Sequence, residues 1–146
     1  MAHLEFMELE YLMSDRPVVM VVEDDVEMNQ LECEFLQVHG LDTVAAYNGV
    51  EAVELCHSTD ADAVLLDLML PEIDGFEICR RLRKKQGKDL SIIIVTALDS
   101  DDCRQRGYEV GADAYFCKPF DPDEVVRTIC LLLDRNGDEK SDYEQQ

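Results

Sequence analysis

Positive charge is scarce in this chain: 13 Lys and Arg stand against 33 Asp and Glu, a formal net charge of −20. That balance argues against direct nucleic-acid binding, because a phosphate backbone is held by clustered Lys and Arg. Long apolar runs are also missing. None approaches the roughly 20 residues that cross a bilayer as a helix, and the acidic N-terminus lacks a signal-peptide pattern. The six cysteines, Cys33, Cys56, Cys79, Cys103, Cys117 and Cys130, form no CxxC pair, and no His is placed to complete a zinc site. Scattered thiols of this kind read as reduced cysteines of a cytoplasmic protein, with redox sensing as the alternative. The few basic residues gather at Arg80, Arg81, Arg83, Lys84, Lys85 and Lys88, which reads as a solvated helix face.

What is present is enough for one domain with a real core: 146 residues, 47% of them apolar. Four short apolar runs end in polar residues. Pro17-Val18-Val19-Met20-Val21-Val22 ends in Glu23-Asp24-Asp25, and Ala63-Val64-Leu65-Leu66 ends in Asp67. Ile92-Ile93-Ile94-Val95 ends in Thr96, and Ala114-Tyr115-Phe116-Cys117 ends in Lys118-Pro119. Val- and Ile-rich runs between helix-like segments read as buried parallel strands. In an open parallel sheet the carboxyl ends of the strands share one edge, where ligands bind. Such a fold gathers several carboxylates, a hydroxyl and an ammonium into one pocket. Clustered carboxylates stay ionised most easily around a hard cation such as Mg²⁺, and a Lys and a Thr beside it suit a phosphoryl group.

Five strand–helix repeats are expected between two tails. The first helix is predicted near Glu27 to His39, ended by Gly40 in the C′ position, with Asp25 as a helix cap. A strand near Asp42 to Ala46 leads to a helix from Gly49 to about Ser58. Pro71 and Gly75 shape the loop after the third strand, and a helix follows to about Lys85, broken by Gly87. The fourth helix is predicted near Asp101 to Val110, with Gly107 inside it. That glycine marks either a weakly held helix or close packing. Asp121 and Pro122 suit the N-cap and first position of the last helix. Alternation of strands and helices implies right-handed crossovers and a doubly wound α/β sheet. Residues 1–16 form an N-terminal extension. In it Leu4, Met7 and Tyr11 have helical spacing, and the segment reads as an amphipathic helix, a dimer contact or sequence preceding a natural start at Met13. Residues 136–146 form an acidic tail that is expected to fray. The stretch Asp134 to Asp138 does not match a calcium loop, since Glu139 stands where that loop needs Gly.

Taken in order, the acidic cluster, Asp67-Leu68-Met69-Leu70-Pro71-Glu72-Ile73-Asp74-Gly75, Thr96-Ala97 and Tyr115-Phe116-Cys117-Lys118-Pro119-Phe120 resemble the receiver domain of two-component response regulators. The resemblance covers residues 17–135. It implies a flavodoxin-like, five-stranded parallel sheet of order 2-1-3-4-5 with helices on both faces. It implies Asp67 as phosphoacceptor, becoming phosphoaspartate, and Mg²⁺ held by Asp24, Asp67 and the Met69 carbonyl, with Glu23 acting through water. It implies Lys118 pairing with the carboxylate and then the phosphoryl group, Thr96 and the Ala97 amide binding phosphoryl oxygens, and Thr96 and Tyr115 as the switch. It also implies a cis bond before Pro119. The expected partners are a sensor histidine kinase or histidine phosphotransfer protein and a downstream protein, with no membrane and no direct nucleic acid; a homodimer stays open. The protein would be a cytoplasmic signalling switch that catalyses its own modification, not an enzyme acting on a separate substrate. Signalling would run through the fourth helix, fifth strand and fifth helix. An Asp-nucleophile phosphatase needs a second Asp two positions on, where Met69 stands. A flavin-binding domain needs a Ser/Thr/Gly-rich phosphate loop where Glu23-Asp24-Asp25 would repel phosphate.

Overall fold

The structure, a computed structural model, describes residues 16–86 and 89–144, with side chains described to residue 134 except Gln86. The expectations for Leu4, Met7, Tyr11, Gly87 and Lys88 therefore lie outside the described residues. The chain alternates without exception: β1 Val18–Val22, α1 Val26–Val38, β2 Asp42–Ala46, α2 Gly49–Thr59, β3 Ala63–Leu66, α3 Gly75–Gln86, β4 Ser91–Thr96, α4 Asp101–Glu109, β5 Ala114–Cys117 and α5 Pro122–Glu144. All neighbouring strands are parallel, in the order β2-β1-β3-β4-β5. The reversal falls at β1, which pairs with β2 on one side and β3 on the other. β1 and β3 therefore lie side by side, so Glu23 and Asp67 meet at one edge.

The two faces of the sheet divide the core by strand alternation. Met20, Val22, Val64, Leu66, Ile92 and Ile94 face α2, α3 and α4. Val19, Val21, Ala63, Leu65, Ile93 and Val95 face α1 and α5. β3 and β4 are buried along their whole length, which explains why their sequences are continuous apolar runs rather than alternating ones.

Local signals set the helix ends. The Asp25 side chain accepts from the Met28 amide at 3.0 Å, capping α1. At its other end Gly40 adopts φ +86°, its amide bonds to the Gln37 carbonyl, and the Leu41 amide bonds to the Leu36 carbonyl. That is the Schellman arrangement, and the left-handed φ is the reason for glycine there. Asn48 and Ser100 cap α2 and α4. Asp121 accepts from the Asp123 amide at 2.9 Å, and Pro122 opens α5 as expected. α5 then continues to Glu144, past residue 135, where a fraying tail is expected from composition. No proline interrupts residues 136–144, and each residue added to an existing helix needs only its own hydrogen bond.

The basic cluster on α3 divides by side-chain position. Arg80 and Arg81 pair with Glu77 on the exposed face, at 2.6 and 3.1 Å. Arg83 turns inward, donating to the Gly111 and Leu90 carbonyls and pairing with Asp113 at 2.6 Å. Lys84 and Lys85 are exposed. The solvated-face reading holds for four of these residues and fails for Arg83, which ties α3 to the loops flanking β4 and β5.

Candidate functional site at the carboxyl edge of the sheet

The β-strand ends bring Glu23, Asp67, Thr96 and Lys118 to one edge. Glu23 and Asp67 are 4% and 6% exposed, and Thr96 is fully buried. The Lys118 ammonium lies across the two carboxylates, with Nζ 2.8 Å from Asp67 Oδ2 and 2.8 Å from Glu23 Oε1. Lys118 reaches them from the bend after β5, where the Lys118–Pro119 peptide bond is cis, as the resemblance implies. Burial works against the ammonium's charge, yet the hydrogen bonds to Asp67 and Glu23 outweigh it and hold its pKa above the usual lysine range. Glu23 is raised, chiefly by burial, with the Lys118 hydrogen bond opposing.

The backbone around Asp67 is also set. Its Oδ1 accepts from the Met69 amide at 2.9 Å, so each carboxylate oxygen has one donor. Met69 projects its side chain to solvent at 57% exposure, which leaves its main chain as the part that faces the site. Gly75 lies against the same loop. A Cβ there would sit 2.3 Å from Leu68 Cα, so only glycine lets α3 begin this close to the loop that follows β3.

Asp24 follows Glu23 in the chain and is exposed. Among the described residues no group of three His, Cys, Asp or Glu is drawn together tightly enough to hold a metal ion. Carboxylates drawn together without a cation repel, and the Lys118 ammonium answers the charge of only Glu23 and Asp67. The donor set nevertheless suits a hard divalent cation, since Glu23, Asp24, Asp67 and the Met69 carbonyl offer only oxygen.

Asn29, on the inward face of α1, went unremarked in the sequence. Its amide nitrogen donates to the carbonyls of Val21, Glu23 and Ala46 at 3.1 to 3.2 Å, stitching the ends of β1 and β2 to α1. A short polar residue at the buried position of the first helix turn was the available signal. Arg104 was missed too. From α4 it donates to the Tyr115 carbonyl at 3.2 Å and lies 5.1 Å from the Tyr115 ring centre.

On the β4 side, the Thr96 hydroxyl accepts from the Leu98 amide at 3.4 Å. The Tyr115 hydroxyl donates to the Leu98 carbonyl at 2.6 Å, and its ring is 4% exposed. Burial pushes the Tyr115 phenol up to about 12. Leu98 thus connects the two switch candidates through its main chain. A Cβ on Gly107 would come 2.9 Å from Tyr115 Cδ2 and 3.1 Å from Ile94 Cδ1. Of the two sequence readings of Gly107, close packing is the one observed. Ala97 is exposed beside Thr96, and all six cysteines are free thiols. Among the described residues no helix is long and apolar enough to cross a membrane.

Comparison with known proteins shows the family. The family model of the response regulator receiver domain matches residues 19–130. The response regulator MprA of Mycobacterium ulcerans (strain Agy99) is 40% identical over 117 residues, covering 80% of this chain and 50% of that protein. The DNA-binding dual master transcriptional regulator RpaA of Synechocystis sp. is 34% identical over 120 residues, 82% of this chain and 50% of that protein. The chain therefore spans about half the length of these curated relatives. Among solved structures, the receiver domain of Francisella response regulator 1452 superposes with a TM-score of 0.77 at 33% identity, covering 82% of this chain and 98% of that one. With the family model matched over residues 19–130 and the parallel sheet in the order β2-β1-β3-β4-β5, the chain belongs to the response regulator receiver family and is a receiver domain of two-component signal transduction.

Proposed function

We propose that this receiver is a phosphorylation switch whose acceptor is Asp67. The observation that carries the reading is the Lys118 ammonium held 2.8 Å from Asp67 and 2.8 Å from Glu23 at the strand carboxyl edge. A carboxylate nucleophile needs its charge offset before attack and the phosphoryl oxygens need theirs offset afterwards. Lys118 supplies a cation for both. In transfer from a phosphohistidine, the donor's P–N bond breaks, a P–O bond forms to Asp67, and the histidine nitrogen keeps the electron pair. The chain's part is positioning and electrostatics.

Mg²⁺ fits the donor set of Asp24, Asp67 and the Met69 carbonyl, with Glu23 acting through water, and when bound it would supply charge neutralisation for the transferring group. The Thr96 hydroxyl and the Ala97 amide are the donors for the remaining phosphoryl oxygens. Drawing Thr96 toward the phosphoryl group breaks its contact with Leu98, whose carbonyl also holds Tyr115. The switch then spreads to the surface of α4, β5 and α5, by no more than the differential affinity of the phosphoryl group for the two states. The partners are a sensor histidine kinase or histidine phosphotransfer protein upstream and a protein downstream, in the cytoplasm. DNA binding belongs by name to RpaA, a protein about twice as long as the matched region; at a net charge of −20 this portion makes no direct nucleic-acid contact.

Incubation with acetyl phosphate and Mg²⁺ tests the reading. One phosphoryl group, labile to hydroxylamine, is expected on the wild-type chain and none on Asp67→Asn. Modification of Asp67→Asn at the wild-type rate would refute it.

A further inference from the structure

Glu32 is the unusual residue of this molecule. It sits mid-helix on α1, 2% exposed, on the buried stripe shared with Asn29 and Leu36. Both of its carboxyl oxygens lack a hydrogen-bond partner, and they are the only buried side-chain oxygens or nitrogens among the described residues that do. A buried carboxylate without partners is strongly disfavoured, so the group either keeps a proton or finds a cation. Burial pushes its pKa up to about 7.

The cation is at hand. Glu32 and Lys118 line one groove of about 440 Å³ between α1 and the start of α5, walled by Met28, Leu31, Phe35 and Phe120. The charges acting on Glu32 are Lys118, which favours its ionised form, and Glu23 and Asp67, which oppose it. On its own helix the neighbouring Cys33 thiol is itself raised by burial. An ammonium has three N–H donors, and two of those of Lys118 are spent on Glu23 and Asp67. Three buried carboxylates thus share one ammonium, and in this structure Glu32 is the one left out.

Resting on the cation site proposed above, we propose that Glu32 is a positioning residue for Lys118: a buried alternative acceptor that takes up the ammonium contact Glu23 gives up when Glu23 turns to a divalent cation. Lys118 keeps Asp67 and exchanges one carboxylate partner for another. Glu32 releases its proton to solvent as it gains the ammonium, so Lys118 faces two carboxylates before and after the exchange, and the site gains one net positive charge from the divalent cation. Cation uptake is thereby tied to proton release at a residue outside the ligand set.

The test is Mg²⁺ titration of the full chain at pH 6. It is followed by NMR of the Glu32 side-chain carboxyl and Lys118 side-chain carbons, and by calorimetry in two buffers of different ionisation enthalpy. Wild type should release close to one proton per Mg²⁺ more than Glu32→Gln, and its Mg²⁺ affinity should rise roughly tenfold more per pH unit below pH 7 than the variant's. The Glu32 carboxyl should move from its protonated to its ionised shift on Mg²⁺ addition, a reading that needs no variant. Glu32→Leu, which suits the apolar groove, provides a second comparison. Mg²⁺ binding with equal proton release in wild type and both variants, or a Glu32 resonance that Mg²⁺ leaves unmoved, overturns the role of Glu32 and leaves the cation site standing. Failure of the wild-type chain to bind Mg²⁺ overturns both.

Discussion

Replacing Glu32 by Gln should change how stability depends on pH, in a direction and by an amount that the buried carboxyl dictates. In the folded chain without metal its pKa is raised from 4.5 to about 7 by burial, against the favourable field of Lys118. The folded state therefore binds the proton more tightly than the unfolded state. The contribution is fully present below pH 4.5, is lost as pH rises through 7, and is absent above it. At about 1.4 kcal/mol per pH unit, the loss between those limits comes to about 3 kcal/mol. Glu23 is raised as well, with the same sign, but it is common to both proteins and cancels in the difference. Urea unfolding of wild type and Glu32→Gln, with chelator present, at pH 4.5, 6 and 8 measures the effect. The variant should gain about 3 kcal/mol on wild type between pH 4.5 and 8, and Glu32→Leu should show the same pH slope. Parallel stability curves for wild type and variant would refute the reasoning, because they would mean that Glu32 is already ionised and partnered in the folded chain.

Gly75→Ala should destabilise by about 3 kcal/mol or more in urea unfolding, since its Cβ would lie 2.3 Å from the Leu68 Cα and backbone cannot give way as a side chain does. Gly107→Ala sets a helix gain of about 1 kcal/mol against overpacking of about 1–3 kcal/mol. With Tyr115 Cδ2 at 2.9 Å, a net loss of about 1 kcal/mol is expected, together with NMR shifts of the Tyr115 ring as its bond to the Leu98 carbonyl loosens. The phosphorylated chain should lose phosphate slowly, because the Met69 and Leu98 side chains, exposed and half-buried, cannot orient a water. Met69→Asn with Leu98→Glu should speed the decay roughly tenfold after donor removal, a fraction of what a positioned acid–base group contributes. A wild-type half-life of seconds, or an unchanged rate in the double variant, would show that these positions do not control water.

Much of this protein was legible in local sequence because its determinants are local. Continuous apolar runs such as Ile92 to Val95 are what a strand buried on both faces requires, and the polar residue ending each run marks the sheet edge. Asp25, Gly40 and Asp121 announce helix ends through bonds within a few residues of themselves. What local pattern could not settle was which side chains share a partner. Lys118 and Glu23 stand 95 positions apart in the chain, and only the adjacency of β1 and β3 under the β5 bend makes one ammonium serve two carboxylates. Gly107 read equally well as weak helix or close packing until the Tyr115 ring was found against it. Arg83 looked like its solvated neighbours on α3, and only the packing of α3 against the loops beside β4 and β5 turned it inward. Glu32 is the sharpest case. Its spacing from Asn29 and Leu36 put it on the inward stripe of α1, but burial raises a carboxyl's pKa only when the surrounding elements exclude water. Strand ends and caps follow from residue type and neighbours in the chain. Proton affinity and ion pairing depend on what three-dimensional packing removes from water, and that was decided by the fold.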